Sequence, residues 1–294
     1  MKFAIYAQNY KPHYHKIVNK LIKAIKKNGG MIAFEAEFYQ LLKENHVLTE
    51  DFSVFSTYDD LDETTHFFIS IGGDGTMLRA ANFVKNKNIP LVGVNTGRLG
   101  FLANVQESAI DFLIPLLFTN QFTLSRRTLL KVDNPTVDVT NFKVNFALNE
   151  ITLARKNTTS MITIDTYIDN EFLATYWADG IIISTPTGST GYNLSCGEPI
   201  IAPNSNCLVI TPIAPHNLTT RPLIISDRSK IRMKVESREQ QFLLSMDSDT
   251  ATISTAEEIE ISLSNHTVNL VEFPSVTFVK TLRNKLLWGE DKRN

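Results

Sequence analysis

Three clusters of residues in this chain have the types and spacing to do chemistry. The first is GGDGT at 72–76, which follows the apolar run FFISI and precedes a helical pattern. Strand, glycine-rich turn and helix offer main-chain N–H groups and a positive helix end to a phosphate. The lysine and spacing of GxxxxGK[ST] are missing, and so is GxGxxG, so two common nucleotide loops are excluded. The acid is informative. A carboxylate among phosphates is repelled unless it serves a metal or takes a proton, and phosphoryl transfer to a hydroxyl needs such an acceptor. On spacing alone Asp74 also reads as the cap of the following helix.

The second cluster is LNEITLA at 148–154, which puts Asn149 and Glu150 into an otherwise apolar β pattern. Neighbours in a strand face opposite sides, so two adjacent polar residues break the alternation. A strand edge facing a cleft, or a surface hairpin, accounts for both. The third is DGIIISTPTGSTGYNLS at 179–195. Its apolar strand ends in a loop with five hydroxyls and two glycines, followed by Tyr192. Such a loop reads either as a wrap around a polar ligand, with Tyr192 as a stacking face, or as solvated chain. His216 and the acidic DSD at 247–249 are weaker signals and read as structural.

The elements that must position these clusters fall into two kinds. Residues 1–8 read as a strand, and 12–27 as a helix with Ile17, Val18, Leu21, Ile22 and Ile25 on one face. Gly29-Gly30 stops it, and a second helix is expected over 36–43. FFISI is a strand, 76–85 a helix, IPLVGVN a strand and 111–117 a helix. Alternation of this kind argues for a parallel sheet with helices on its faces. From Phe122 onward short alternating strands dominate, such as MITIDTYID, EFLATYWAD, GIIIST, CLVITPI, KIRMKVES and QQFLLSMDS, with a hairpin turn at Asp169-Asn170. The expected fold is therefore an α/β N-terminal domain with a parallel sheet, then a β-rich, two-sheet C-terminal domain. A final helix over 275–288 carries Val276, Val279, Leu282, Leu286 and Leu287 as a stripe to bury. The first domain's sheet is the expected surface, so the domains read as 1–103 plus 272–294, and 104–271.

The bulk properties narrow the class. With 294 residues, 43% hydrophobic, the chain can bury one large or two medium cores. A formal net charge of −2 gives no nucleic-acid footprint. No segment has the roughly 20 apolar residues of a membrane span. Cys196 and Cys207 lack metal-ligand spacing and read as buried free thiols, which fits the cytoplasm. The HxH pair of His13 and His15 lacks a third ligand.

The order of the clusters resembles a known family. GGDGT, NTGRLGFLA, NE, DGIIISTPTGST and PHNLTTRPL follow one another as in the ATP-dependent NAD kinases, within the superfamily of diacylglycerol kinases and phosphofructokinases. The resemblance covers nearly the whole chain, and TPTGST with NE and GRLGFL is more specific than GGDGT. It implies a two-domain enzyme with its site in the cleft between. That enzyme moves the γ-phosphoryl of ATP to the 2′-hydroxyl of the adenosine ribose of NAD, with a divalent metal, usually magnesium. By similarity Asp74 accepts the hydroxyl proton. Gly72, Gly73, Gly75 and Thr76 line the phosphate region, with Arg79 as a further phosphate contact. Asn149 and Glu150 hold the adenosine side of NAD. Thr190, Gly191, Tyr192 and Ser195, with Asn193 and Leu194 between them, embrace adenine and ribose, and Phe101 packs on the adenine. Trp177, Asp179 and Asp249 complete the ligand set. Asp179 is implied to reach NAD in a neighbouring subunit, hence self-association, as a homotetramer or dimer of dimers.

Three positions depart from the family pattern. Gly191 stands where alanine is usual, Trp177 where a basic or polar residue is common, and Asp249 where an amide is common. These bear on contacts around the nicotinamide half of the ligand. Two other readings share part of the pattern: a lipid kinase of the same superfamily, which would bind liposomes, and an NAD(P)-sensing module without turnover. The latter has no need of an acid among phosphates. The choice between NAD and NADH, or ATP and polyphosphate, is not legible.

Overall fold

The computed structural model describes residues 1–133, 142, 144–156 and 160–288. The chain divides into two compact units, Met1–Arg126 with Val268–Asn294, and Arg127–Thr267.

The first unit is built on an eight-stranded sheet. Its strands are β1 (Lys2–Tyr6), β2 (Met31–Glu35), β3 (Ser53–Phe55), β4 (Thr65–Gly72), β5 (Leu91–Asn95), β6 (Val105–Gln106), β7 (Thr123–Arg127) and β20 (Val268–Glu272). They run in the order β3-β2-β1-β4-β5-β20-β7, with β6 paired to β5. The pairs β1–β2, β1–β4, β2–β3, β4–β5, β5–β6 and β5–β20 are parallel. β4 and β5 are buried almost throughout, as strands covered on both faces must be. The helices are α1 (Tyr14–Lys27), α2 (Ala36–Glu44), α3 (Asp74–Val84), α4 (Ile110–Phe118) and α6 (Phe278–Leu286). α1 buries Tyr14, Ile17, Val18, Leu21, Ala24 and Ile25, the stripe its spacing predicts. Each large aliphatic side chain removed from water there contributes ~1.5–3 kcal/mol. The core of this unit joins that stripe to Phe3, Ile5, Phe34, Ile69 and Val92 of the sheet.

The second unit is two antiparallel sheets sharing one core. One runs β15 (Leu223–Ser226), β14 (Cys207–Ile213), β13 (Gly180–Ser184), β10 (Glu150–Arg155), β17 (Gln241–Met246), β18 (Asp249–Ser254). The other runs β12 (Glu171–Ala178), β11 (Ile162–Ile168), β16 (Ile231–Glu236), β19 (Glu258–Leu263), β8 (Leu130–Val132), β9 (Phe146–Ala147). Ile151, Leu153, Ile181, Phe242 and Leu244 of the first sheet cluster with Ile164, Met233, Val235 and Ile261 of the second. β16 shows the cause: its inward Ile231, Met233 and Val235 alternate with outward polar residues. The turn at Asp169-Asn170 closes the β11–β12 hairpin with φ of 49° and 71°, the left-handed geometry that Asn and Asp tolerate.

Several expectations need correction. β2 was not foreseen, because Glu35 ends the strand and caps α2 at once. Its carboxylate accepts the N–H groups of Glu37 and Phe38 at 3.1 and 2.9 Å. β7 and β20 look like their β-rich neighbours in sequence, yet both belong to the first unit's sheet. α6 starts at Phe278, later than expected, and the apolar stripe is only partly buried: Val276, Leu282 and Leu286 are half-buried. Val279 and Leu287 are 71% and 62% exposed, while Thr281 is the buried side chain. Both cysteines are free, but half-buried rather than buried.

Candidate active site

In the first unit, the chain leaves β4 at Gly72 and enters α3 at Asp74, with Gly73 as the N-cap. Gly72 has no room for a side chain, since a Cβ there would collide with the Thr76 hydroxyl. Gly73 and Gly75 differ: a Cβ on either would meet nothing within 4 Å. The turn is tight on its inner side and open on its outer side. Thr76 and Arg79 follow on α3, both partly exposed. An acid in the first turn suits the positive end of the helix, but Asp74 does not cap it.

Its carboxylate instead reaches the loop after β5. Oδ1 accepts the main-chain N–H groups of Leu102 and Ala103, each at 2.9 Å, and Oδ2 that of Phe101 at 2.9 Å. The loop is shaped to offer them. Asn95 folds it back by accepting the Gly97 N–H and donating to the Arg98 carbonyl, and the Gly100 N–H bonds the Ala103 carbonyl. Gly100 is obligatory for this contact, since a Cβ would strike Asp74 Oδ1. Gly93 of β5 lets the loop lie close, where a Cβ would sit 2.7 Å from Ala103 Cα. Phe101 is 8% exposed, its ring facing the Lys285 ammonium at 4.8 Å. That ammonium also lies 3.7 Å from Asp74 Oδ2.

In the second unit, Asn149 and Glu150 stand at the start of β10. Asp247, from the turn between β17 and β18, accepts the N–H groups of Leu148, Asn149 and Glu150 at 2.8, 2.8 and 3.2 Å. Its own N–H returns to the Glu150 carbonyl at 3.0 Å. The Glu150 side chain is 8% exposed, and Oε2 has no protein partner. Burial first, and then the Asp247 charge, push its carboxyl up to about 8. Burial pushes Asp247 up to about 6 in spite of its three N–H donors.

The hydroxyl loop packs on the same main chain. Thr185 donates its hydroxyl to the Leu148 carbonyl at 2.7 Å and its N–H to that of Asn149 at 2.9 Å. Ser189 donates to the Pro186 carbonyl at 2.7 Å and accepts the Ile201 N–H at 2.9 Å. The sequence reading offered these hydroxyls to a ligand. That needs correction: Ser184, Thr185 and Ser189 are fully buried, and their hydrogen bonds build the loop. The face left open begins at Thr190. The four-residue helix α5 (Tyr192–Ser195) presents Tyr192, 47% exposed, and the exposed Ser195 beside the half-buried Leu194. Asn193 is fully buried with both amide atoms unpartnered. Gly191 sits against the NE pair, where a Cβ would lie 3.0 Å from Glu150 Oε2 and 3.2 Å from Asn149 Nδ2.

Trp177 and Asp179 stand at the junction of β12 and β13. Trp177 is 57% exposed, its ring 6.4 Å from that of His216. Asp179 is held by Arg155, with Nε to Oδ1 at 2.8 Å and Nη2 to Oδ2 at 3.4 Å. Asp249 opens β18, half-buried, close enough to Asp247 to raise it further. The sites thus form two sets. One unit gathers residues 72–76, Arg79 and Phe101. The other gathers Asn149, Glu150, 190–195 and Asp249, while burial first, and then the charges of Cys196, Asp179 and Glu150, push the Tyr192 hydroxyl up. Sequence reasoning missed Lys285 and underrated Asp247. An acid between two hydrophobic strands was the available signal for Asp247; Lys285 had none.

Among the described residues no group of three or more His, Cys, Asp or Glu side chains is placed to hold a metal ion, and no helix is long and apolar enough to cross a membrane. The model of the ATP-NAD kinase N-terminal domain matches residues 3–122, and that of the ATP-NAD kinase C-terminal domain residues 148–273. The NAD kinases of Flavobacterium psychrophilum and Flavobacterium johnsoniae are 48% and 49% identical to this chain over 294 residues, covering all of both chains in each case. Among solved structures, yeast NADH kinase complexed with NADH superposes with a TM-score of 0.85 at 23% identity, over 100% of this chain and 89% of that one. An NAD kinase from Archaeoglobus fulgidus in complex with ATP gives 0.73 at 23% identity, over 97% of each chain. The structural likenesses establish the fold. The domain matches and the full-length identities establish more: this chain belongs to the ATP-NAD kinase family, and its activity is that of EC 2.7.1.23, phosphorylation of NAD by ATP.

Proposed function

We propose that Asp74 is the proton acceptor for the ribose 2′-hydroxyl in this reaction. The carrying observation is its fixed carboxylate: three consecutive N–H groups orient it at the head of α3, beside glycines with open space on their outer side. An acid fixed in advance needs no reorganisation when the phosphoryl group moves. Gly72, Gly73, Gly75, Thr76 and Arg79 then serve the phosphates, and Phe101 the adenine. Glu150 and Asn149 hold the adenosine ribose. At neutral pH a carboxyl pushed to about 8 keeps its proton, so Glu150 can donate as well as accept. Thr190, Gly191, Tyr192, Asn193, Leu194 and Ser195 border the base and ribose, with Asp249 nearby.

A divalent cation, magnesium in ordinary conditions, enters with ATP. An ion held by phosphate oxygens and water suits a chain whose described residues form no dedicated cage. It neutralises charge on the transferring group. Self-association, as a homotetramer or dimer of dimers, is supported by the edge strand β12, where Phe172 and Trp177 are 54% and 57% exposed. Asp179, beside that edge, is the residue proposed to meet NAD in a neighbouring subunit. Two free thiols suit a reducing compartment such as the cytoplasm.

The test is a coupled assay of purified protein with ATP, magnesium and NAD, run beside Asp74→Asn and a chelator control. NADP formation by the unsubstituted chain and its loss in the variant support the assignment. Near-normal turnover in Asp74→Asn removes Asp74 from the mechanism.

A further inference from the structure

We propose that Lys285 of α6 is a positioning residue for phosphoryl transfer, acting through Asp74 and Phe101. The inference rests on the reading of Asp74 as the proton acceptor. Asp74 divides its partners unevenly: Oδ1 takes two N–H groups and Oδ2 only one. The oxygen with capacity to spare is the one 3.7 Å from the Lys285 ammonium. A lysine carries three donors, so it can hold Oδ2 and still lie over a ring. The same ammonium is 4.8 Å from the centre of Phe101, the residue whose N–H binds Oδ2. One side chain therefore touches the acid and the residue that orients it.

The helix is built to deliver it. Thr277 caps α6 by accepting the Lys280 N–H at 3.3 Å. Thr281, 3% exposed, anchors the helix, and Lys285 follows four residues later on the same face. Val279 and Leu287 lie outside, Leu282 and Leu286 are half-buried, and the Lys285 side chain, 34% exposed, reaches Asp74 Oδ2 from the helix surface. Lys16 and Lys20 of α1, by contrast, both pair with Glu107.

The test is steady-state kinetics on Lys285→Met, Lys285→Arg, Asp74→Asn and the double variant Asp74→Asn/Lys285→Met, with melting temperatures for each. Lys285→Met is expected to lower kcat by about tenfold, within the range for coupled neighbours. Lys285→Arg returns most of that loss. In the Asp74→Asn background the Met substitution changes kcat by less than about twofold, because its route to the reaction is already gone. Three results overturn the proposal: kcat of Lys285→Met within about twofold of the unsubstituted enzyme, an equal loss in both backgrounds, or a lowered melting temperature with kcat per folded enzyme unchanged. Near-normal turnover in Asp74→Asn instead overturns the assignment of Asp74, a separate outcome in the same experiment.

Discussion

Asp74 in the first unit and Asp247 in the second each gather three consecutive main-chain N–H groups onto one carboxylate. The contacts are nearly the same; the surroundings are not. Asp74 keeps 31% of its side chain exposed, at the head of an eleven-residue helix, with a lysine nearby. Asp247 has its carboxyl enclosed, and burial outweighs the three donors, so it is pushed up to about 6. The difference teaches what the contact is for in each place. On the proposed assignment, the oriented acid open to solvent is the one that acts on a bound hydroxyl. The enclosed one fixes a segment of chain, here the NE pair.

Exchanging amides for these acids is the strongest way to break the comparison. Asp74→Asn is expected to lower turnover by ~100-fold or more, the usual scale for a lost general base, with the fold and NAD binding largely kept. Asp247→Asn should do the reverse. Its amide would face at least one N–H as a donor, leaving a buried N–H unpaired at a cost of ~1–3 kcal/mol. Denaturant midpoints should fall while kcat per folded enzyme changes little. If both variants lose turnover alike without losing stability, the two acids do not divide the work this way.

The enclosed region also has a pH signature. Folded-state values of about 8 for Glu150 and about 6 for Asp247 lie above the ordinary carboxyl values of 4.5 and 3.8. The folded unit then binds protons more tightly than the unfolded chain, so stability falls as pH rises. The fall runs from about 4 to 6 for Asp247 and from about 4.5 to 8 for Glu150. Urea midpoints of the ligand-free protein between pH 5 and 9 should decline, and Glu150→Gln should flatten the upper part by about 2 kcal/mol. An unchanged slope in that variant would show that Glu150 is ionised throughout. The smallest effect is expected at Gly191→Ala. The added Cβ would lie 3.0–3.2 Å from Glu150 Oε2, Asn149 Nδ2 and the Gly188 carbonyl oxygen, a tightness relieved by shifts of a few tenths of an ångström, so KM for NAD should move by less than about fivefold and stability by under ~1 kcal/mol. A larger KM change would mean that the loop needs glycine to close on its ligand.

Local signals made much of this legible. GGDGT announced its strand–turn–helix, and α1, α4 and most strands of the second unit followed from periodicity. NE was marked by a broken alternation. The hydroxyl loop was visible but misread, because propensity says nothing about which hydroxyls face inward; burial and contacts to 148–149 decide that. Asp247 and Lys285 act on partners about 100 and 200 residues away in the chain. Neither relation leaves a trace in local spacing. α6 is legible from its apolar stripe, of which the fold half-buries Val276, Leu282 and Leu286 and leaves Val279 and Leu287 exposed, with Thr281 the fully buried side chain. β7 and β20 could not be assigned by pattern, since a strand looks the same in either sheet.

The position of β20 has a consequence for how the enzyme comes into being. This strand lies between β5 and β7, yet it is encoded after the whole second unit. At ~5–20 residues per second a ribosome takes roughly ten seconds to cross that interval. Throughout it β5 lacks its β20 partner at Leu91, with β6 covering only Val94 and Asn95, and the GGDGT turn lacks the lysine of α6. A nascent chain with GGDGT already folded is therefore still unfinished as a sheet and as a site. Chaperone binding at stalled chains should concentrate in this window, and turnover should appear only after β20 and α6 have docked.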